Sequence, residues 1–255
     1  MFDSGVGGIS VLNELRRTLP HEDFIYYADS GYCPYGARSQ SELLARAVAI
    51  SEFLLAQQAK IIVVACNTAT IAAVEYLRAT YPISFIGMEP AIKPAIAQTR
   101  SGVIAVLATG AALAGERFHR LLAQHAAGPV RIITQPCPGL VEQVEAGDLS
   151  GPATRTLVEH YTQPLVAAGA DTLVLGCTHY PFLRPLIGAV VGPEIHLLDT
   201  GAAVARQTRR VLEREGLLTS SANGGAVSWH TSGDPAQLAR LVELLAEPAH
   251  QSVGG

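Results

Sequence analysis

Short apolar runs alternate along the whole chain with stretches in which apolar residues recur every three or four positions. That alternation predicts strands separated by helices, and therefore parallel sheets flanked by helices. "DFIYYAD" reads as a strand, and Ser39 with Glu42 then has capping-box spacing ahead of the apolar stripe Leu43, Ala47, Val48, Phe53 and Leu54. "KIIVVA" is the next strand, followed by "TATIAAVEYLRAT", whose helical pattern stops before Pro82. "ISFIGM", "GVIAVLA", "VRIIT", "DTLVLG", "EIHLLD" and "AVSWHT" continue the series, each set off by a helical or turn-rich stretch.

Roughly nine strands in a chain of 255 residues suggest two small sheets rather than one. A faint internal repeat points the same way. "IIVVACNTAT" and "TLVLGCTHYP" each carry an apolar strand, a small residue, then Cys and polar residues, which sets Cys66 and Cys177 at strand carboxyl ends. Ligands of open α/β sheets bind at that end, so two facing lobes would bring both thiols to one cleft. The expected division lies in "EPAIKPA", with Pro90 and Pro94, and the chain returns to the first lobe near residue 205. The lobes are then 1–95 with 205–255, and 96–204.

The opening "MFDSGVGG" is a glycine-rich turn with almost no chain in front of it. Gly5, Gly7 and Gly8 allow a tight bend and close approach to a ligand, and Asp3 and Ser4 add a carboxylate and a hydroxyl; a phosphate loop is the first reading. With only Met1 and Phe2 ahead of Asp3, the first strand is expected to be stunted and Asp3 less firmly held.

Composition adds limits rather than detail. Hydrophobic residues make up 49% and charged residues 16%, which suits a compact α/β enzyme. A net charge of −4 gives no electrostatic reason to expect nucleic acid as a partner. No apolar run is long enough to span a membrane and no secretory leader is visible, so a cytoplasmic protein is expected. Cys33, Cys66, Cys137 and Cys177 lack the paired spacings of a metal or dithiol motif, and in a reducing compartment they should be thiols.

In "ACNTAT", Cys66 enters a helix N-terminus, whose partial charge favours thiolate and suits a base or nucleophile; a buried small hydrophobe with Asn and Thr caps is the plainer reading. "LGCTHYP" adds His179, which could hold or relay a proton or serve as a structural hydrogen-bonder. Two matched strand-end cysteines make sense if one protonated and one deprotonated group must face opposite sides of a carbon. "DSGYCPYGARS" is an ordered loop with Tyr35 as a hydrogen-bonding wall, or an ordinary turn, and Cys33 has no evident role beyond packing. Glu142 and Glu145 lie three apart on a helix, a spacing usual for a solvated face, and Cys137 sits between prolines with no evident partner.

Taken together and in order, "FDSGVGG", "CPYG", "ACNTAT" and "LGCTHYP" resemble the glutamate racemases of the aspartate/glutamate racemase superfamily, from residue 2 to about 205, and "HTSGDP" resembles their C-terminal segment. The resemblance implies a two-lobed α/β enzyme, an isomerase that interconverts L- and D-glutamate without a cofactor or metal. It implies Cys66 and Cys177 as the two acid/bases, Asp3 and Ser4 beside Cys66, and His179 and Glu145 behind Cys177. Asn67, Thr68, Thr178, Tyr35 and Gly36 match substrate-binding positions. Glutamate is the implied partner, for peptidoglycan synthesis, and a homodimer the assembly to consider. Cys33 stands where an apolar residue is expected. A racemase for aspartate or another acidic amino acid, or a non-catalytic member binding a ligand or protein, are the competing readings.

Overall fold

The computed structural model describes residues 1–125 and 128–247, so the last part of the segment expected to rejoin the first lobe, 248–255, lies outside the described residues. The chain runs β1 (Phe2–Asp3), α1 (Ile9–Thr18), β2 (Phe24–Ala28), α2 (Gln40–Ala56), β3 (Ile61–Val63), α3 (Asn67–Thr80) and β4 (Ser84–Ile86). It continues through α4 (Ile92–Gln98), β5 (Val103–Ala108), α5 (Gly110–Ala114), α6 (Glu116–His125), β6 (Arg131–Pro136), α7 (Leu140–Ala146), α8 (Pro152–Ala167) and β7 (Thr172–Leu175). Last come α9 (Arg184–Val191), β8 (His196–Leu198), α10 (Gly201–Arg214), β9 (Val227–Thr231) and α11 (Pro235–Leu245).

Every strand pairing among the described residues is parallel. One lobe holds the β1-β2-β9 ladder and the β3-β4 pair, joined by a single bridge from Phe2 to Val64. The other holds a four-stranded sheet in the order β6-β5-β7-β8. A parallel sheet covered on both faces needs strands apolar on both sides, and β7 meets that condition with all four residues buried.

The order of strands places the chemistry. In the first lobe the chain passes from β1 to β2 on one side and later lays β3 on the other, so it reverses direction at β1 and β3. In the second lobe the reversal falls at β5, with β6 on one side and β7 on the other. Loops leaving the carboxyl ends of strands on either side of a reversal diverge, and a crevice opens between them. The crevice loops are therefore those after β1 and β3 in one lobe, and after β5 and β7 in the other.

The first strand is stunted, at two residues, but Asp3 is not loosely held. It is fully buried, and its backbone carbonyl accepts from Asp29 N at 2.9 Å. Its carboxylate accepts from Gly8 N at 2.6 Å. Pairing to β2 on one side and the bridge to Val64 on the other replace what length would have supplied. The capping box forms as its spacing predicts: Ser39 Oγ accepts from Glu42 N, and Glu42 accepts from Ser39 N at 2.9 Å.

Candidate functional site

The loops after β1, β2, β3, β5 and β7 converge on a narrow cavity between the lobes. Its walls include Ser4, Tyr35, Gly36, Cys66, Asn67 and Thr68 from one lobe and Thr109, Val141, Cys177, Thr178 and His179 from the other. Both thiols are buried, at 5% and 8% exposure, and neither is in a disulfide.

Cys66 is the N-cap of α3, and its sulfur accepts from Ala69 N at 3.5 Å. Asn67 and Thr68 supply the first two amides of the helix, which have no intrahelical acceptor and face the end where a carboxylate is favoured. The Asn67 side-chain carbonyl is buried with no hydrogen-bond partner among the described residues. An orphaned buried acceptor costs about 1–3 kcal/mol, so the site is built to receive a donor such as an ammonium group. Thr68 Oγ1 lies 3.1 Å from Thr109 Oγ1 across the cavity.

Burial, reinforced by the neighbouring Asp3 charge, pushes the Cys66 thiol well above its ordinary value. Burial also raises Asp3, although His179 and the Cys66 thiol pull it back. A carboxyl raised in this way and adjoining a thiol is suited to receive that thiol's proton and return it.

Cys177 follows β7 in the same way that Cys66 follows β3, but the chain then enters a short 3₁₀ turn, Tyr180–Leu183, and no α-helix starts at the thiol. Pro181 in that turn has no N–H to give a helix ladder. The hydrogen-bond partner here is a side chain. Cys177 Sγ lies 3.6 Å from His179 Nδ1, and His179 Nε2 lies 2.6 Å from Glu145 Oε1. Burial alone would lower His179, but hydrogen bonds to Cys177, Cys33 and Glu145 outweigh it and hold the ring well above its usual value. For Glu145 burial works upward, and the bonds from His179 and from Val6 N keep it below the usual carboxylate range. Of the two acids on α7, Glu142 is exposed while Glu145 turns toward the ring.

The glycines of the opening turn find their explanation in this ring and carboxylate. A Cβ on Gly5 would stand 1.9 Å from Glu145 Oε1, and one on Gly7 would stand 2.3 Å from His179 Nδ1. Val6 N, between them, donates to Glu145 Oε1 at 2.8 Å. The loop therefore clamps the His179–Glu145 pair through bare backbone, which replaces the phosphate-loop reading. Thr178 ties the two motifs together by donating from Oγ1 to Asp3 Oδ2 at 3.3 Å.

All eleven residues singled out by sequence fall in or directly behind this cavity. Ten of them are Asp3, Ser4, Tyr35, Gly36, Asn67, Thr68, Thr178, His179 and the two cysteines; Glu145 is one contact further out. The Tyr35 hydroxyl, however, donates to Asp29 Oδ2 at 2.5 Å, so only the ring is offered to the cavity. Arg46 and Ser232 complete that buried carboxylate's set. Sequence reading missed Thr109, although its place directly after the strand "GVIAVLA" was a usable signal. Cys33 is more than packing: its thiol lies with Glu145 and His179 in one cluster whose donor atoms are all within 4.8 Å of one another. Cys137 is buried, its thiol turned to the Gln135 carbonyl at 3.3 Å.

Comparison with known proteins agrees with this geometry. Residues 8–208 match the family model described as Asp/Glu/Hydantoin racemase. The chain is 59% identical over 245 residues to the glutamate racemase of Herpetosiphon aurantiacus, covering 96% of each. The structure superposes on Escherichia coli glutamate racemase, solved with L-glutamate and the activator UDP-MurNAc-ala, with a TM-score of 0.84 at 33% identity over 95% of this chain and 92% of that one. It also superposes on the Francisella tularensis glutamate racemase, solved with D-glutamate, with a TM-score of 0.82 at 25% identity over 98% and 93%. No helix among the described residues is long and apolar enough to cross a membrane.

Proposed function

The chain belongs to the Asp/Glu/Hydantoin racemase family, and from that premise we propose that its interlobe cavity racemises glutamate by a two-thiol route, with Cys66 and Cys177 as the two acid/bases. The observation that carries the reading is the pair of buried thiols at matching strand ends, on opposite lobes and on the wall of a single cavity. One thiolate removes the α-proton while the other thiol delivers a proton to the opposite face; the sulfurs exchange roles for the reverse reaction. The helix-terminal amides of Asn67 and Thr68 would hold a carboxylate and resist the charge that builds up at the α-carbon.

Each thiol has its own proton partner. Asp3 serves Cys66, with Ser4 Oγ donating to Asp3 Oδ1 at 3.4 Å. His179, steadied by Glu145, serves Cys177. Tyr35, Gly36 and Thr178 complete the walls. The working lobes are taken as 1–95 with 205 onward, and 96–204, the second crossing falling inside α10 (Gly201–Arg214). The product D-glutamate would enter peptidoglycan synthesis in the cytoplasm; a homodimer is the assembly to test by sizing.

The direct test is incubation with L- or D-glutamate in deuterated water, following optical rotation and α-deuterium. Loss of rotation with one deuterium gained per inversion is expected from either enantiomer; no exchange from either would sink the proposal. Aspartate run in parallel measures how far the cavity discriminates by side-chain length.

A further inference from the structure

Cys33, Glu145 and His179 come from three separate segments, a loop after β2, helix α7 and the turn after β7. They are the cluster of metal-ligating side chains found among the described residues, and the donor atoms all lie within 4.8 Å of one another. A thiol, an imidazole and a carboxylate form a mixed sulfur, nitrogen and oxygen set. Such a set suits a borderline-soft ion with tetrahedral habit and does not suit magnesium or calcium, which take oxygen. Tetrahedral zinc distances set neighbouring ligand atoms about 3.3–3.5 Å apart. The 2.6 Å contact of His179 Nε2 with Glu145 Oε1 would open slightly and the remaining separations would close. Cys33 is half-buried and the Glu145 side chain keeps 15% exposure, so the cluster has its own approach from solvent. Neither residue lines the substrate cavity, whereas His179 does.

We propose that Cys33, Glu145 and His179 form an inhibitory site for a divalent cation of the zinc class, entered from outside the substrate cavity. On binding, the Cys33 thiol proton and the proton shared by His179 Nε2 and Glu145 pass to solvent, and sulfur, nitrogen and carboxylate oxygen bind the ion in their place. His179 Nδ1 remains at Cys177, but the ring can no longer exchange a proton with Glu145. The relay behind Cys177 is blocked while the cavity stays open to substrate. Binding of the ion stands independently of the racemase reading; the inhibitory effect rests on it.

The test uses the metal-free full chain titrated with Co²⁺, and then with Zn²⁺ as competitor. Wild type should develop thiolate-to-cobalt charge transfer and tetrahedral d–d bands that Zn²⁺ erases. The charge-transfer band should be lost in both Cys33→Ala and the space-conserving Cys33→Ser, the d–d bands lost in the first and weakened in the second, and both retained in Cys66→Ala. Zn²⁺ should depress kcat for glutamate without raising KM, and the concentration needed should rise at least about tenfold in Cys33→Ala, each variant judged against its own metal-free rate. Absence of cobalt bands in wild type overturns the site, as does their persistence in both Cys33 variants. Loss of the bands in Cys66→Ala, or inhibition competitive with glutamate, assigns the ion to the cavity thiols and also overturns it. A failed racemase reading would show as no racemisation without metal, with the cobalt result intact.

Discussion

If His179 serves Cys177 as proposed, adding one methyl group at Gly7 should disable that partner without touching either thiol. The new Cβ would stand 2.3 Å from His179 Nδ1, 2.6 Å from Cε1 and 2.7 Å from Cγ, so it meets the ring along one edge and not at a flexible tip. Ordinary contact begins at 3.4 Å, so the ring must retreat about 1.1 Å. It has little room, because His179 is 1% exposed and its far nitrogen is already 2.6 Å from Glu145. A shift of about 1 Å in a proton-transfer geometry slows turnover about 100-fold, or about 2.7 kcal/mol of barrier. Overpacking should also lower stability by about 1–3 kcal/mol, which a urea titration reads separately. L- and D-glutamate have equal free energy in water, so kcat/KM must fall by the same factor from both enantiomers. Initial rates by polarimetry in each direction make the measurement. The control is Gly188→Ala in α9, where a Cβ meets nothing within 4 Å; it should keep full activity and gain about 0.5–1 kcal/mol of stability. Gly7→Ala racemising within about threefold of the parent while folded would refute the argument that this glycine exists to seat the ring.

Cys66→Ala and Cys177→Ala should each abolish racemisation while leaving α-deuterium exchange from one enantiomer, a different one in each variant. Exchange of the same enantiomer by both would show that the sulfurs do not face opposite sides of the α-carbon. Glu145→Gln should produce a pH-dependent loss of stability, mapped by urea midpoints from acid to alkaline pH. The contribution of Glu145, whose value is lowered, is present above its unfolded value of about 4.3 and is lost as pH falls through the folded one. That of His179, whose value is raised, is full below about 6.5 and is lost as pH rises through the folded one. The gap between parent and variant should peak at about pH 4.5–6.5, and a gap that stays constant with pH would contradict the pairing. In the buried network behind Tyr35, Tyr35→Phe removes one of several donors to Asp29 and should cost about 1–2 kcal/mol. Arg46→Met strands a carboxylate that is fully buried and should cost about 3–5 kcal/mol; the reverse order in urea unfolding would count against this account.

What was legible in the sequence is what local periodicity and capping encode. The strand before each thiol, the helix after Cys66 and the Ser39–Glu42 box all follow from residues within a few positions of one another. The unread features are long-range. Gly5 and Gly7 read as a tight turn made for close approach to a ligand because the atoms that exclude their side chains belong to residues 145 and 179, far along the chain. Glu142 and Glu145 have the same helical spacing, and only the packing of α7 decides which of them faces a histidine. Cys33 looked idle because no nearby residue in sequence is a partner, while its partners converge from α7 and the turn after β7. Thr109 lacked a Cys or His to draw attention, yet it occupies the second lobe's reversal point as Asp3 occupies the first's.

That correspondence bears on how the molecule treats mirror-image substrates. The backbone repeats its solution, a reversal-point loop beside a strand-end cysteine in each lobe, and so lines the cavity in a similar way from both sides. The neighbours of the two thiols do not repeat: a raised carboxyl, Asp3, adjoins Cys66, while a raised imidazole with a lowered carboxylate behind it adjoins Cys177. In the proposed two-thiol route each thiol acts as base for one enantiomer and as acid for the other, so each needs a neighbour able to take up a proton and return it, and both a carboxyl and an imidazole have that capacity. Equal substrate and product energies constrain only the ratio kcat/KM. The unlike partners are therefore free to set different kcat and KM values for the two directions, compensating within each ratio. Thr178, in the second lobe, hydrogen-bonds Asp3 in the first, so the two proposed proton partners are not independent, and a change at either should register at both thiols.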